Sequence, residues 1–154
     1  MGFTSAFIYQ NNWRYQGDKS QYEDKVNWIE FDIDKAQLPA YNDFINTKSD
    51  NIDFAAFIDV DEFVCLNKDK SMEDFLSRYT NCCAIGLNWK LFGDAGLKFD
   101  GRRTVLDRFT KCQHGLNMHI KTILNMKLCG KRFHFINPHF IDGASLRNTT
   151  VDVD

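Results

Sequence analysis

The feature that most constrains this chain is an apolar stretch over residues 54–58 that ends abruptly in three carboxylates. Its aromatic, small and β-branched side chains are typical of a buried strand. Because an ionised carboxylate loses much hydration energy on burial, Asp59, Asp61 and Glu62 must lie where water or a cation reaches them. In α/β sheets, ligands bind at the carboxyl ends of strands. The stretch therefore predicts a buried strand over residues 54–60 with a ligand site at its end.

The spacing of the two aspartates points to a divalent cation. An extended backbone would direct Asp59 and Asp61, two residues apart, to the same side of the strand. Two hard carboxylate oxygens on one face suit Mg²⁺ or Mn²⁺ carrying a phosphate group. An acidic turn after a strand is also common without any metal, so the Asp-Val-Asp tripeptide alone leaves both interpretations open.

Composition indicates one globular domain over residues 1–154. The chain is 44% hydrophobic and 14% aromatic, which supports a core and argues against disorder. Its net charge of −2 argues against broad electrostatic binding of nucleic acid. No signal peptide and no run of eighteen apolar residues is found, which predicts a protein without a membrane span. We expect it to be cytoplasmic, or peripheral to a membrane.

Five cysteines form an odd set without a Cys-x-x-Cys pair: Cys65, Cys82, Cys83, Cys112 and Cys129. This pattern fits neither a disulfide framework nor a common zinc site. We therefore expect buried, reduced thiols, as in a reducing compartment.

Periodicity and turn residues predict an α/β fold with a mixed, mostly parallel sheet. Leu38, Tyr41, Phe44 and Ile45 form one face of a predicted helix. A second helix begins at Ser71, which has the spacing of a capping box. The first predicted helix spans residues 34–47, and the second begins at residue 71. Strands are predicted at residues 3–9, 26–31, 54–60, 82–91, 104–110 and 120–124. An extended segment at residues 133–141, interrupted by a proline, follows them.

A second candidate site follows the strand predicted at residues 82–91. Trp89 and Phe92 precede a turn that contains Gly93, Asp94 and Gly96. An aromatic ring beside a carboxylate can bind a sugar, since the ring stacks on CH groups and the carboxylate accepts hydroxyl hydrogens. A core tryptophan followed by a hairpin turn explains the same residues.

Basic and imidazole groups form a third candidate near the C-terminal part. His119 and Lys121 would share one side of a strand, and His134 and His139 follow. Such groups could neutralise a diphosphate or complete a metal shell. A structural role is the alternative, because single histidines are often satisfied by neighbouring hydrogen bonds.

Taken in order, these motifs resemble glycosyltransferase family 92 and the related family 2-like glycosyltransferases of GT-A fold. The similar segments are Asp-x-Asp-Glu-Phe, Asn-Trp-x-x-Phe-Gly-x-x-Gly, Arg-Phe, His-Ile-Lys and Asn-Pro-His. The resemblance covers nearly the whole chain and is carried by Asp59, Asp61, Glu62, Phe63, Asn88, Trp89, Phe92, Gly93, Gly96, Arg108, Phe109, Lys121, Pro138 and His139.

The resemblance implies a metal-dependent transfer of a sugar, with inversion, from a nucleotide sugar to a hydroxyl acceptor. A UDP-sugar is the expected donor, and a glycan or another hydroxyl compound is the expected acceptor. Mn²⁺, or Mg²⁺, would be held by Asp59, Asp61 and His139. The donor would also meet Asp59, Lys121, Trp89, Gly93 and Gly96. Asp94 is the first candidate for the general base and Glu62 the second.

The resemblance also implies a GT-A-like three-layer sandwich that is shortened at its N-terminus, because residue 1 falls near the family's second strand. A second interpretation is therefore a catalytically impaired relic that acts as a binding or interaction domain. A third, a metal-dependent phosphate-ester hydrolase, would need further carboxylates for a second metal, and the sequence offers no convincing set.

Overall fold

The computed structural model describes residues 2–94, 96 and 104–142, and the backbone of 147–149. The strands are β1 (Ala6–Gln10), β2 (Val26–Glu30), β3 (Phe54–Phe57), β4 (Ala84–Asn88), β5 (Phe92–Gly93), β6 (Lys111–Cys112), β7 (Ile120–Asn125), β8 (Phe135–Asn137), β9 (Phe140–Ile141) and β10 (Arg147–Thr149). The α-helices are α1 (Gln37–Thr47), α2 (Met72–Ser77), α3 (Val105–Arg108) and α4 (Met126–Cys129), and 3₁₀ turns lie at Lys19–Tyr22 and Gly130–Arg132.

The main sheet has four strands in the order β10-β4-β7-β3. β7 is buried along its whole length and runs antiparallel to both β3 and β4. Its polar side chains are satisfied where they are buried: Thr122 donates to the carbonyl of His139, and Asn125 donates to the carbonyl of Thr80. β7 therefore sets the register of both neighbouring strands.

Helices cover both faces of this sheet, because neighbouring residues of each strand point to opposite sides. On one face, Phe44 and Ile45 of α1 pack with Phe57 and Leu124. On the other, α2 packs against the residues next in register, among them Ile123. Phe44 and Phe57 meet edge to face with ring centroids 5.5 Å apart. The main sheet thus packs against α1 on one face and against α2 on the other.

The α/β class and the mixed sheet predicted from the sequence are confirmed, but parallel pairings are the minority among the described strands. β1 pairs with β2, and β10 with β4, in parallel. The other four pairings, β3 with β7, β4 with β7, β5 with β6 and β8 with β9, are antiparallel. In the main sheet, β3, β4 and β10 run in one direction, and β7, which lies between β3 and β4, runs in the opposite direction.

Several predicted strands differ from the structure, among them the strand predicted at residues 82–91, which is observed as β4 at Ala84–Asn88. The segment 104–110 was expected to be extended, but Thr104 caps the short helix α3 by accepting the N–H of Asp107 at 3.3 Å. The strand predicted at residues 54–60 ends at Phe57, because the backbone turns before Val60. The glycine-bearing turn at 92–96 begins with the short strand β5, and its residue 95 lies outside the described residues.

The expectation that all five cysteines are reduced is wrong. Cys83 and Cys129 form a disulfide with Cα atoms 5.5 Å apart. They lie 46 residues apart in the sequence, and the pairing of β4 with β7 brings them together. Cys65, Cys82 and Cys112 are free thiols.

Within the described chain, no helix combines the length and apolar character needed to cross a bilayer.

Candidate functional site

The three carboxylates that follow β3 lie in a closed turn. The N–H of Glu62 donates to the carbonyl of Asp59 at 3.1 Å. The Glu62 carboxylate, in return, accepts the N–H of Asp59 at 2.9 Å. Val60 and Asp61 are exposed at the tip of the turn, Val60 with 94% of its surface accessible. The expectation that an extended backbone directs Asp59 and Asp61 to one side is therefore wrong, because the strand has already ended.

Lys121 on β7 is the cation that meets this turn. Its Nζ lies 2.9 Å from Oδ2 of Asp59 and 3.6 Å from Oε2 of Glu62. The residue is only 3% exposed, so its ammonium group depends on these carboxylates in place of water. Burial lowers the pKa of Lys121, but the hydrogen bond to Asp59 and the nearby acidic groups outweigh burial and leave that pKa raised. Lys121 is therefore charged, and its ammonium group is held by the Asp59 and Glu62 carboxylates of the acidic turn.

Helix α1 supplies two further contacts to Asp59. Nε2 of Gln37 donates to Oδ1 of Asp59 at 2.8 Å, and the Tyr41 hydroxyl donates to the same oxygen at 3.5 Å. Burial is the main reason why the pKa of Tyr41 is raised. Sequence reasoning placed Gln37 and Tyr41 on the helix before the strand but missed these contacts. Their i, i+4 spacing, which puts both on one helical face, was the available signal.

A cluster of three rings lies beside Lys121. Trp89 stacks on His119 with centroids 5.3 Å apart and meets His139 edge-on at the same separation. The rings of His119 and His139 are also 5.3 Å apart. Nζ of Lys121 lies 5.7 Å from the centre of the Trp89 ring. The structure therefore brings together four residues that sequence analysis drew from two separate candidate sites.

Backbone pairing explains why this cluster forms. The N–H of Trp89 donates to the carbonyl of His119 at 2.9 Å, which continues the ladder between β4 and β7. His139 lies in the turn between β8 and β9, where its N–H donates to Oδ1 of Asn137 at 2.9 Å. The strand ends and the hairpin turn thus converge at one edge of the molecule.

The glycine-bearing turn of the second predicted site, unlike Trp89, is exposed. Oδ1 of Asp94 accepts the N–H of Gly96 at 2.9 Å, which closes a small turn. Gly96 has a φ of +76°, a conformation that favours glycine. Gly93 has open space where a side chain would project. Within the described residues, no hydrogen bond or ion pair links Asp94 to the acidic turn.

The charges at the acidic turn favour a cation. Asp59, Asp61 and Glu62 provide three carboxylates against the single ammonium group of Lys121, which leaves an excess of two negative charges. The donor types at Asp59, Asp61 and His139 fit Mn²⁺ or Mg²⁺ chemically. In the part of the chain that the structure describes, however, no group of three or more His, Cys, Asp or Glu side chains is placed to hold a metal ion.

Comparisons with known proteins identify no relative: no family model, no curated protein and no solved structure matches this chain. The function is therefore argued from the site itself.

Proposed function

We propose that this chain is a glycosyltransferase that moves a sugar from a nucleotide-sugar donor to a hydroxyl acceptor. The observation that carries the proposal is the network of Lys121, Asp59 and Glu62 at the carboxyl end of β3. Helices on both faces of the main sheet agree with a GT-A-like three-layer arrangement, in which such a strand end would face the donor.

The acidic turn would hold the divalent ion of the donor. Asp59 and Asp61 would supply carboxylate oxygens, and His139 would supply Nε2, since its Nδ1 is 2.8 Å from the carbonyl of Ile120. A bound Mn²⁺ or Mg²⁺ would supply Lewis-acid stabilisation of the departing nucleoside diphosphate. Asp61 is exposed at the tip of a four-residue turn, so its side chain can rotate towards a ligand without moving the sheet.

Lys121 and the ring cluster would orient the donor. The ammonium group of Lys121 would donate to a phosphate oxygen while Asp59 and Glu62 fix its direction. The indole of Trp89 would form one wall, and the open backbone at Gly93 and Gly96 would let the sugar approach closely.

The acceptor hydroxyl would lose its proton to a carboxylate. Asp94 is the first candidate because it is exposed. Among the residues that the structure describes, only one of its two carboxylate oxygens accepts a hydrogen bond. Glu62 is the second candidate, and its carboxylate already clamps the acidic turn and Lys121. General bases of this kind contribute about 10²–10⁴-fold to rate.

Release of UDP from a panel of UDP-sugars, measured with Mn²⁺ and acceptor mixtures, tests the proposal. We expect Asp94→Asn to lower turnover by at least about a hundredfold while Mn²⁺-dependent UDP affinity stays unchanged. Asp24→Asn is a matched control, because Asp24 is exposed and outside the site. Equal turnover in wild type and Asp94→Asn would exclude Asp94 as the base.

One observation favours a second candidate, a non-catalytic domain that binds a partner. The charge of Asp59 is already compensated within the chain by Lys121, and its other oxygen accepts hydrogen bonds from two uncharged donors of α1. A domain of this kind would keep the acidic turn as a structural element and would release no UDP from any donor.

A further inference from the structure

We propose that His119 and His139 together bind a late first-row divalent cation such as Zn²⁺, each through its Nε2 atom. The site uses the same Nε2 atom of His139 as the proposed donor site, so only one of the two ions can bind it at a time, but it requires neither a nucleotide nor sugar transfer. It would therefore stand even if the proposed function were wrong.

The hydrogen bonds of His119 fix its tautomer. Both its backbone N–H, at 2.9 Å, and its Nδ1, at 2.7 Å, lie on Oδ1 of Asn117. A backbone N–H can only donate, so the shared atom must be the amide oxygen, and Nδ1 must carry the hydrogen. This leaves the lone pair of the neutral ring on Nε2.

His139 has the same arrangement. Its Nδ1 lies 2.8 Å from the carbonyl oxygen of Ile120, which can only accept, so Nδ1 again carries the hydrogen. Its backbone is held by Asn137 and Thr122. In metal sites, a histidine ligand generally donates its other N–H to a carbonyl or carboxylate, which fixes the ring. Within the described residues, neither Nε2 makes a hydrogen bond.

The separation of the two rings fits a shared ion. Their centroids are 5.3 Å apart. Two imidazoles bound at zinc–nitrogen distances of about 2.0–2.1 Å around a tetrahedral ion have ring centres roughly 5 Å apart. The observed separation is close to this value.

The surroundings favour a cation and limit its type. Trp89 contacts both rings and restricts their rotation. The ammonium group of Lys121 is compensated by Asp59 and Glu62, so it adds little repulsion. Imidazole nitrogen suits Zn²⁺, Co²⁺ and Ni²⁺ better than Mg²⁺. Among the residues that the structure describes, no third His, Cys, Asp or Glu side chain joins the two histidines as a ligand. Water molecules would therefore complete the coordination shell of the ion and could be replaced by another ligand.

Titration of the full chain with Co²⁺, and then Zn²⁺ in competition, tests this site without any nucleotide present. Calorimetry and the visible absorption of Co²⁺ should show one ion per chain. His119→Asn and His139→Asn should each weaken binding by at least about tenfold. His114→Asn is the matched control, because His114 is an exposed histidine outside the ring cluster. The metal-ion affinity of this variant should equal that of wild type.

Asn117 provides a second, independent pair of variants that spares both histidines. Asn117→Ala should weaken binding by about 10–100-fold by releasing the His119 tautomer, and Asn117→Asp, which retains an acceptor, should restore it. Circular dichroism and thermal unfolding verify that each variant folds. The proposal would be overturned by absence of binding to wild type, by unchanged affinity in His119→Asn, or by loss of affinity in Asp61→Asn alone, which would indicate a purely carboxylate site.

Discussion

Among single residues, Lys121 has the most demanding environment, since a charged group on the central strand is almost wholly buried. Removing one partner from a buried ion pair leaves the other partly desolvated, whereas exposed pairs contribute little. Asp59 retains 41% of its side-chain exposure, so water would offset part of the loss. The ion pair between Lys121 and Asp59 should therefore contribute more to the free energy of unfolding than an exposed pair and less than a fully buried one.

We predict that Lys121→Met, which preserves the aliphatic stem, lowers the free energy of unfolding by about 1–2 kcal/mol. Denaturant unfolding of this variant, with the exposed Lys48→Met as control, measures the effect. Because the pKa of Lys121 is raised above its ordinary value of 10.5, the contribution is fully present below that pH and is lost as pH rises through the folded-state pKa. The difference between wild type and variant should therefore narrow above pH 10.5, and a pH-independent difference would contradict an ionic origin.

The sequence predicted much of the site but not its contacts. Asp59, Lys121, Trp89 and His139 were all identified from residue type and position, and all lie in one connected cluster. The contact between Asp59 and Gln37 was missed, because it depends on how a helix crosses a strand. Local spacing does not encode that crossing.

Among the secondary-structure elements, a helix was predicted correctly where a capping residue and the apolar face that follows it indicated the same starting point. Ser71 was predicted to begin a helix, and its Oγ accepts the N–H of Asp74 at 3.0 Å. The strand predicted at residues 104–110 was wrong, because its first half forms the helix α3. The Thr104 cap at the same spacing was the stronger signal, and it begins α3.

Removal of the α2 cap should destabilise the protein through one known hydrogen bond. We predict that Ser71→Ala lowers the free energy of unfolding by about 1 kcal/mol, because the Asp74 N–H loses its acceptor. Ser71→Asn, which can cap equally well, should remain within a few tenths of a kcal/mol of wild type. Equal losses in both variants would show that Ser71 acts through packing instead.

At the scale of the whole molecule, the sheet order and the disulfide were beyond sequence reasoning. A strand predicted at 120–124 could have been placed at an edge or in the centre, and its central antiparallel position determines the main sheet. Cys83 and Cys129 have no recognisable spacing, so only the folded chain reveals their pairing.

The disulfide joins the start of β4 to the end of α4, and reducing it should lower stability. Closing a loop of this length contributes about 2–4 kcal/mol by restricting the unfolded chain. We predict that the Cys83→Ser/Cys129→Ser double variant loses that amount and becomes insensitive to reductant. Cys65→Ser, which removes an exposed free thiol, should behave as wild type. A fully reduced protein in non-reducing mass spectrometry would contradict the pairing.

We propose that the acidic turn after β3 forms a donor-diphosphate site together with Lys121. Calorimetric titration of the full chain with UDP, with and without Mn²⁺, measures binding at this site. We predict saturable binding of UDP that requires Mn²⁺, is lost in Asp61→Asn and in Lys121→Met, and is unchanged in Asp24→Asn. Absence of UDP binding in the presence of Mn²⁺, or UDP binding that is equal with and without the metal, would contradict the claim.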